Sequence, residues 1–279
     1  MKKCCMFDNE NAQEAYENIE VEFVEDYGDF CNGRYLYTWD DGGRHLLRCR
    51  KCGGYILVQK SEYHNMFDGP DSYYTDYIAV TGPEQARWLN ENYSGFELEI
   101  VLGNLGIRFL TETNWVYNWS RTNEPFSMEE VEILLKADAF AREKHGTQRT
   151  KEGAPYIEHP RKVSTFVDDF TEKVVALLHD TVEDTDTTVE EIRKIFGDRV
   201  AECVNLLTKP DGVTYDDYID YLINYGNVTA MHVKLADLTH NSDLSRLGDK
   251  VSDPENIGRA EKYKRAKAKI EAALAKKDV

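Results

Sequence analysis

No stretch of this sequence approaches the roughly 20 apolar residues that a membrane-spanning helix needs. Its first ten residues, MKKCCMFDNE, turn polar before the apolar core of a secretion signal could form. Both absences point to a cytoplasmic chain with no membrane partner. A basic surplus is missing too: 34 Lys and Arg stand against 51 Asp and Glu, for a net charge of -17. A duplex-binding surface needs clustered positive charge, so double-stranded nucleic acid is not an expected partner. An anionic substrate would have to be held by a metal or by a few placed Lys and Arg. Internal repeats and low-complexity tracts are also absent. The six cysteines, in a reducing compartment, are expected to be free or metal-bound rather than paired. What remains is a globular composition, 41% apolar and 30% charged over 279 residues, with room for two domains.

The two halves are written differently. The first is aromatic and rich in glycine, with the segments GRYLYTW, GGYILVQK, YYTDYIAV and GIRFLTETNWVYNW reading as strands. DDGG, DGPDS and TGPEQ read as the turns between them, and one helix is expected over Gln85 to Tyr93. Residues 1–124 are therefore expected to form a small mainly-β or α+β accessory domain. Pro125 then breaks the chain, and Ser127 followed by Glu130 makes a capping-box pattern that opens a helix. Apolar residues at Val131, Leu134, Leu135 and Ala139 follow a 3.6-residue period. Further helices are expected at about 158–168, 172–184, 188–207, 214–225, 228–247 and 255–276, making residues 125–279 an all-α bundle.

Inside that bundle, VVALLHDTVEDTD runs an apolar stretch straight into His179, Asp180, Glu183 and Asp184. Burying such a helix end is costly unless a cation sits there. Other ligand-type residues occur at His145, at His159 in YIEHP, and at Asp237, His240 and Asn241 in VKLADLTHN. On a helix, His179 and Glu183 share a face, as do Asp180 and Asp184, and Asp237 and Asn241. Each residue alone has an ordinary explanation: a helix start at His159, a cap or ion pair at Asp237. Two imidazoles and two carboxylates from three helices make a mixed N/O set that suits Mn, Fe, Zn or Mg. Adjacent carboxylates would move protons for a water at such a centre.

His159, the His179-Asp180 pair and KLAD together resemble the HD superfamily of metal-dependent phosphohydrolases. The longer strings TKEGAPYIEHP, ALLHDTVEDTDTTVEEIRKIFGDRVAECVNLLTK and HVKLADLTHNSDLSRL resemble the hydrolase domain of the Rel/Spo homologues, in particular the small alarmone hydrolases. The resemblance runs from about Glu129 onward, with no synthetase domain expected after it. It implies an enzyme that removes the 3′-pyrophosphate of ppGpp and pppGpp, usually with Mn2+. By matching motif, His159, His179, Asp180 and Asp237 would hold the metal, and Glu183 and Asp184 would position or deprotonate the attacking water. Arg149, Lys151 and Asn241 would meet the nucleotide. Two departures bear on the choice of base: Thr150 stands where the family often has Arg, and Leu238 follows Asp237 where a basic residue is frequent. Family analogy adds an antitoxin role, with the first half binding an alarmone synthetase toxin as a protein partner. The alternatives are an HD phosphohydrolase acting on another nucleotide or an RNA 3′ end, and a non-catalytic partner-binding protein.

In the first half, RCRKCGGY carries Cys49-x2-Cys52 in a glycine-rich turn, the knuckle spacing of a structural Zn2+ site. No second CxxC pair exists. Cys31 is the candidate third ligand, with Cys4, Cys5, His45 and His64 as candidate fourths; a plain surface turn is the alternative. Cys203 reads as a small core residue. Trp39, Trp115, Tyr117 and Trp119 are expected either on a core face or as an exposed row for a protein partner.

Overall fold

Alternating apolar and aromatic residues give the first half a six-stranded antiparallel sheet whose spatial order follows the chain. The strands are β1 (Val21–Asp29), β2 (Asp40–Cys49), β3 (Tyr55–Tyr63), β4 (Ser72–Val80), β5 (Leu110–Thr113) and β6 (Val116–Trp119). The computed structural model describes residues 3–29, 40–63, 72–123, 125–151, 153–245 and 251–277. They fall into two compact units, 1–132 and 133–279. No helix of the described residues is long and apolar enough to cross a membrane.

Helix α1 (Ala12–Glu17) precedes the sheet, and α2 (Pro83–Asn92) and α3 (Gly95–Leu105) lie between β4 and β5. The second of this pair was not expected. GFELEIVLGNL is apolar enough to pass for a strand, yet Ser94 caps it by accepting from the Glu97 amide, and Gly106 ends it with φ +75°. DDGG is no turn: it forms the start of β2, paired with residues of β3. GRYLYTW, with Trp39 and Cys31, lies outside the described residues, as do His64 and most of DGPDS. The β5–β6 hairpin turns at Asn114 and Trp115, both with positive φ, the backbone that two-residue hairpin loops require.

Both faces of the sheet are covered. On one, Ile56, Val58, Leu110 and Tyr117 pack against Met6, Phe7 and Ala15 of the N-terminal segment. On the other, α3 contacts β2 and β3. There the buried Arg44 guanidinium donates to Gln59 Oε1 and to the Tyr93 and Ser94 carbonyls, tying β2 to the α2–α3 junction. Gln59 in turn donates to Asp76 Oδ2 at 3.2 Å. Burial outweighs the Thr111 and Gln59 hydrogen bonds and the nearby Arg44 charge, pushing the Asp76 carboxyl up to about 6. Of the two alternatives for the aromatic residues, the core face holds for Tyr117 and for Trp119, which packs on the core with the Arg108 guanidinium 3.9 Å over its ring, while Trp115 is exposed in the turn.

The second half is helical throughout: α4 (Met128–His145), α5 (Glu158–Ser164), α6 (Phe170–Leu178), α7 (Thr181–Asp184), α8 (Val189–Phe196), α9 (Asp198–Leu207), α10 (Tyr215–Tyr225), α11 (Val228–Ser242) and α12 (Pro254–Lys277). The capping box that opens α4 forms in both directions, Ser127 N to Glu130 Oε2 at 2.8 Å and Glu130 N to Ser127 Oγ at 3.2 Å. Two expected helices are broken. Residues 172–184 divide at His179-Asp180, and 188–207 divide at Gly197, whose φ of +89° stops a helix. Val174, Val175, Leu177 and Leu178 of α6 are fully buried, each contributing roughly 1.5–3 kcal/mol. Cys203 is a core residue. Arg161 grips the buried Asp138 with two hydrogen bonds of 2.7 and 2.8 Å, which fixes α5, and with it His159, against α4.

Candidate active site

His159 enters from α5, His179 and Asp180 from the α6–α7 break, and Asp237 from α11. Buried packing of those helices leaves the four side chains little freedom, and they converge. His159 Nε2 lies 3.3 Å from both Asp180 Oδ2 and Asp237 Oδ1. His179 Nε2 lies 3.2 Å from Asp180 Oδ2 and 3.8 Å from Asp237 Oδ1. Ligands bound at about 2.1 Å and right angles to one another stand roughly 3 Å apart, so these spacings fit a shared divalent ion.

The His179 ring makes the case sharper. Its Nδ1 lies 2.7 Å from the Ala176 carbonyl, which only accepts, so Nδ1 carries the proton. Nε2 is buried and has no hydrogen-bond partner. A bare ring nitrogen facing two carboxylates needs positive charge between them, either a second proton or a cation. The electrostatics say the same. Burial alone would lower His159 and His179, but Asp180 and Asp237 outweigh it and raise both, His179 to about 10. Burial would raise Asp180 and Asp237, yet His179 and His159 hold Asp180 well below its usual value, and Lys234 and both imidazoles do the same for Asp237.

His159, Asp180 and Asp237 of this cluster line a cavity of about 330 Å3, within the range of small-ligand sites. Glu183 and Asp184 stand at its mouth, exposed on one side and raised chiefly by burial of the other. The Lys209 amide donates to Glu183 Oε2 at 2.9 Å, and Tyr156 OH spans Asp180 Oδ2 at 2.7 Å and Asp184 Oδ2 at 3.0 Å. Asn241 Nδ2 donates to Asp237 Oδ1, as the four-residue spacing on α11 requires. Of the three expected nucleotide-binding residues, Lys151 and Asn241 line the cavity. Arg149 does not: its side chain is exposed, and Thr150 occupies the wall instead. Leu238, the other departure from the family pattern, is fully buried and does not line the cavity.

Sequence reasoning missed most of the cationic wall: Lys209, Lys234, Arg259 and Lys262 line it beside Lys151. Spacing held a signal. Lys234 sits three residues before Asp237 and bonds to it at 2.9 Å, while Arg259, Lys262 and Tyr263 fall three and four apart on α12. His145, a ligand-type residue by sequence, lies outside the cluster: it bonds Gln148 and packs on the Tyr156 ring at 4.6 Å. His240 shares a 2.7 Å contact with His159 Nδ1, behind the converging nitrogens.

Among the cysteines, two of the candidate fourth ligands, Cys4 and Cys5, join the Cys49–Cys52 pair among the described residues. Cys31 lies outside the described residues, and the four sulfurs are all within 4.8 Å of one another. His45 is on β2, opposite Asp26 and stacked on Phe23, away from that group.

A mixed His/Asp cluster on a helical bundle, compatible with a metal ion and open to a cavity lined by lysines, accompanies a match of residues 137–216 to the HD domain family. The guanosine-3′,5′-bis(diphosphate) 3′-pyrophosphohydrolase MESH1 of Danio rerio is 40% identical over 126 residues, 41% of this chain and 70% of that protein. The guanosine-3′,5′-bis(diphosphate) 3′-pyrophosphohydrolase of Aquifex aeolicus is 46% identical over 91 residues, 31% of this chain but only 13% of that one. A solved structure described as "A metazoan ortholog of SpoT hydrolyzes ppGpp and plays a role in starvation responses" is similar at 24% identity and a TM-score of 0.38, covering 52% of this chain and 95% of that one. Through its helical half, the chain belongs to the family of HD-domain guanosine-3′,5′-bis(diphosphate) 3′-pyrophosphohydrolases.

Proposed function

We propose that the helical half hydrolyses the 3′-pyrophosphate of ppGpp, pppGpp or a related purine alarmone, with Mn2+ held by His159, His179, Asp180 and Asp237. The observation that carries this reading is the buried, unpartnered Nε2 of His179 facing two carboxylates that line a cationic cavity. A divalent ion at these ligands supplies Lewis-acid polarisation of phosphoryl oxygen and a lowered water pKa. The protein's own groups do the rest. Glu183 and Asp184, with pKa values raised toward neutrality, accept the proton of the attacking water. Tyr156 holds Asp180 and Asp184 in one orientation through its hydroxyl. Lys151, Lys209, Arg259 and Lys262 offset phosphate charge that the acidic surface repels. Asn241 fixes Asp237 from the nucleotide side.

Choice of base rests on the wall around Thr150, where Arg149 is turned outward. That feature favours one second reading, the same hydrolysis on a different nucleotide or an RNA 3′ end. In the wider proposal the enzyme is cytoplasmic and acts as an antitoxin that removes the product of an alarmone synthetase, with the sheet unit as the docking place for that toxin. The test is pyrophosphate release from ppGpp, pppGpp and ppApp with Mn2+ present. Release from at least one is expected and ranks the bases; silence on all three overturns the substrate assignment.

A further inference from the structure

The sheet unit carries a second concentration of ligand atoms, independent of the hydrolase site. The sulfurs of Cys4, Cys5, Cys49 and Cys52 lie within 4.8 Å of one another, and all four cysteines are free. Cys5 Sγ and Cys49 Sγ are 3.7 Å apart. A disulfide would need about 2.05 Å, whereas the edge of a tetrahedron with Zn–S bonds of about 2.3 Å is roughly 3.8 Å. The spacing is that of co-ligands.

The backbone around them is shaped for the same purpose. The Cys5 and Gly54 amides both point at Cys52 Sγ, at 3.2 and 3.4 Å, a donor arrangement that favours thiolate over thiol. Gly53 turns the knuckle with φ +76°. At Gly54 a Cβ would come within 2.6 Å of the Cys4 Cα, so only glycine lets the N-terminal segment approach this closely. Cys4 and Cys49 are buried among Met6, Phe7, Ile56 and Tyr117, while Cys5 and Cys52 are half-buried.

We propose that Cys4, Cys5, Cys49 and Cys52 bind one structural Zn2+ that staples the N-terminal segment to the β2–β3 turn. Four sulfurs fill a tetrahedral ion, so no open position remains for substrate. The thiols lose their protons on binding, and the binding free energy becomes folding free energy of the sheet unit. The adjacent pair Cys4-Cys5 stands in for the second CxxC that the sequence lacks, and Cys31 is not required.

The test counts zinc in full-length protein grown with zinc and purified under reducing conditions, using Asp180→Ala to remove the contribution of the hydrolase centre. One zinc per chain is expected in Asp180→Ala and in Cys31→Ser combined with it, and none when Cys52→Ser is added instead. Because Cys52→Ser could unfold the sheet, the Asp180→Ala protein is also exchanged with Co2+. Thiolate-to-cobalt charge transfer, which nitrogen and oxygen ligands do not give, is expected together with the d–d bands of tetrahedral Co2+. A zinc-free, folded Asp180→Ala protein with titratable thiols overturns the proposal. So does a Cys5–Cys49 disulfide in that preparation, or loss of zinc on Cys31→Ser.

Discussion

Each half of the chain draws a set of ligand-type atoms within 4.8 Å, and the two sets differ in every other respect. In the helical half the donors are imidazole and carboxylate, hard enough for Mn2+ or Mg2+. In the sheet half all four are thiols. The first set opens onto a cavity lined by lysines and an arginine, with two carboxylates left over at the mouth. The second rests against the apolar core through the buried Cys4 and Cys49, with Cys5 and Cys52 half-buried, and two backbone amides are aimed at the Cys52 sulfur. Proximity of ligands is therefore uninformative about role. Room and the leftover groups decide it: a centre with spare carboxylates and space for a phosphate suits chemistry, and an all-sulfur set with no spare groups suits holding chain segments together.

That contrast breaks most sharply at Asp180. Asp180→Ala should bring turnover below detection while the helical circular dichroism is kept; retained turnover would place the chemistry elsewhere. Glu183→Gln and Asp184→Asn should each lower kcat by roughly 10²–10⁴-fold, the usual contribution of a positioned proton acceptor, without changing the metal content of the centre. Comparing kcat with metal stoichiometry in the same samples separates proton transfer from ligation. Lys151→Ala should cost less, about 1.5–3 kcal/mol in kcat/KM if it makes one charge-assisted hydrogen bond to phosphate, with a weaker dependence on salt than the parent enzyme.

The smallest expected effect belongs to the sheet half and concerns stability alone. Burial lifts the Asp76 carboxyl from its ordinary 3.8 to about 6, so the native state binds the extra proton between roughly pH 4 and 6. Its contribution to stability is therefore greatest below about pH 4 and falls as pH rises through that window, by on the order of 2 kcal/mol. Asp76→Asn removes the titration. Denaturant unfolding of both proteins at pH 4 and pH 6.5 should show the variant gaining on the parent as pH rises; a difference that does not change with pH would contradict the burial argument.

Much of the helical half was legible because its signals are local. Ser127 and Glu130, Thr188 and Glu191, and the four-residue spacing of Asp237 and Asn241 all act within one turn of chain, and all form as written. The breaks at His179-Asp180 and Gly197 were less visible, since the apolar period runs through both. Lys209, Lys234, Arg259 and Lys262 were missed because a cationic wall is assembled from three separated segments, and exposed lysines in a sequence look alike. In the sheet half the CxxC knuckle could be read, and Cys4 and Cys5 stood only among several candidates to complete it, because Cys5 meets Cys49 and Cys52 from 44 and 47 residues away, a pairing that no local spacing announces. The helix Gly95–Leu105 was hidden by a composition that serves a strand equally well.

The central claim is that the His159, His179, Asp180 and Asp237 centre cleaves a 3′-pyrophosphate. Product identity tests it most directly, by following ppGpp with Mn2+ in a single turnover. The account predicts pyrophosphate and a nucleoside 5′-diphosphate in equal amounts, lost together in Asp180→Ala. Stepwise release of single phosphates, or equal turnover in Asp180→Ala, would contradict it.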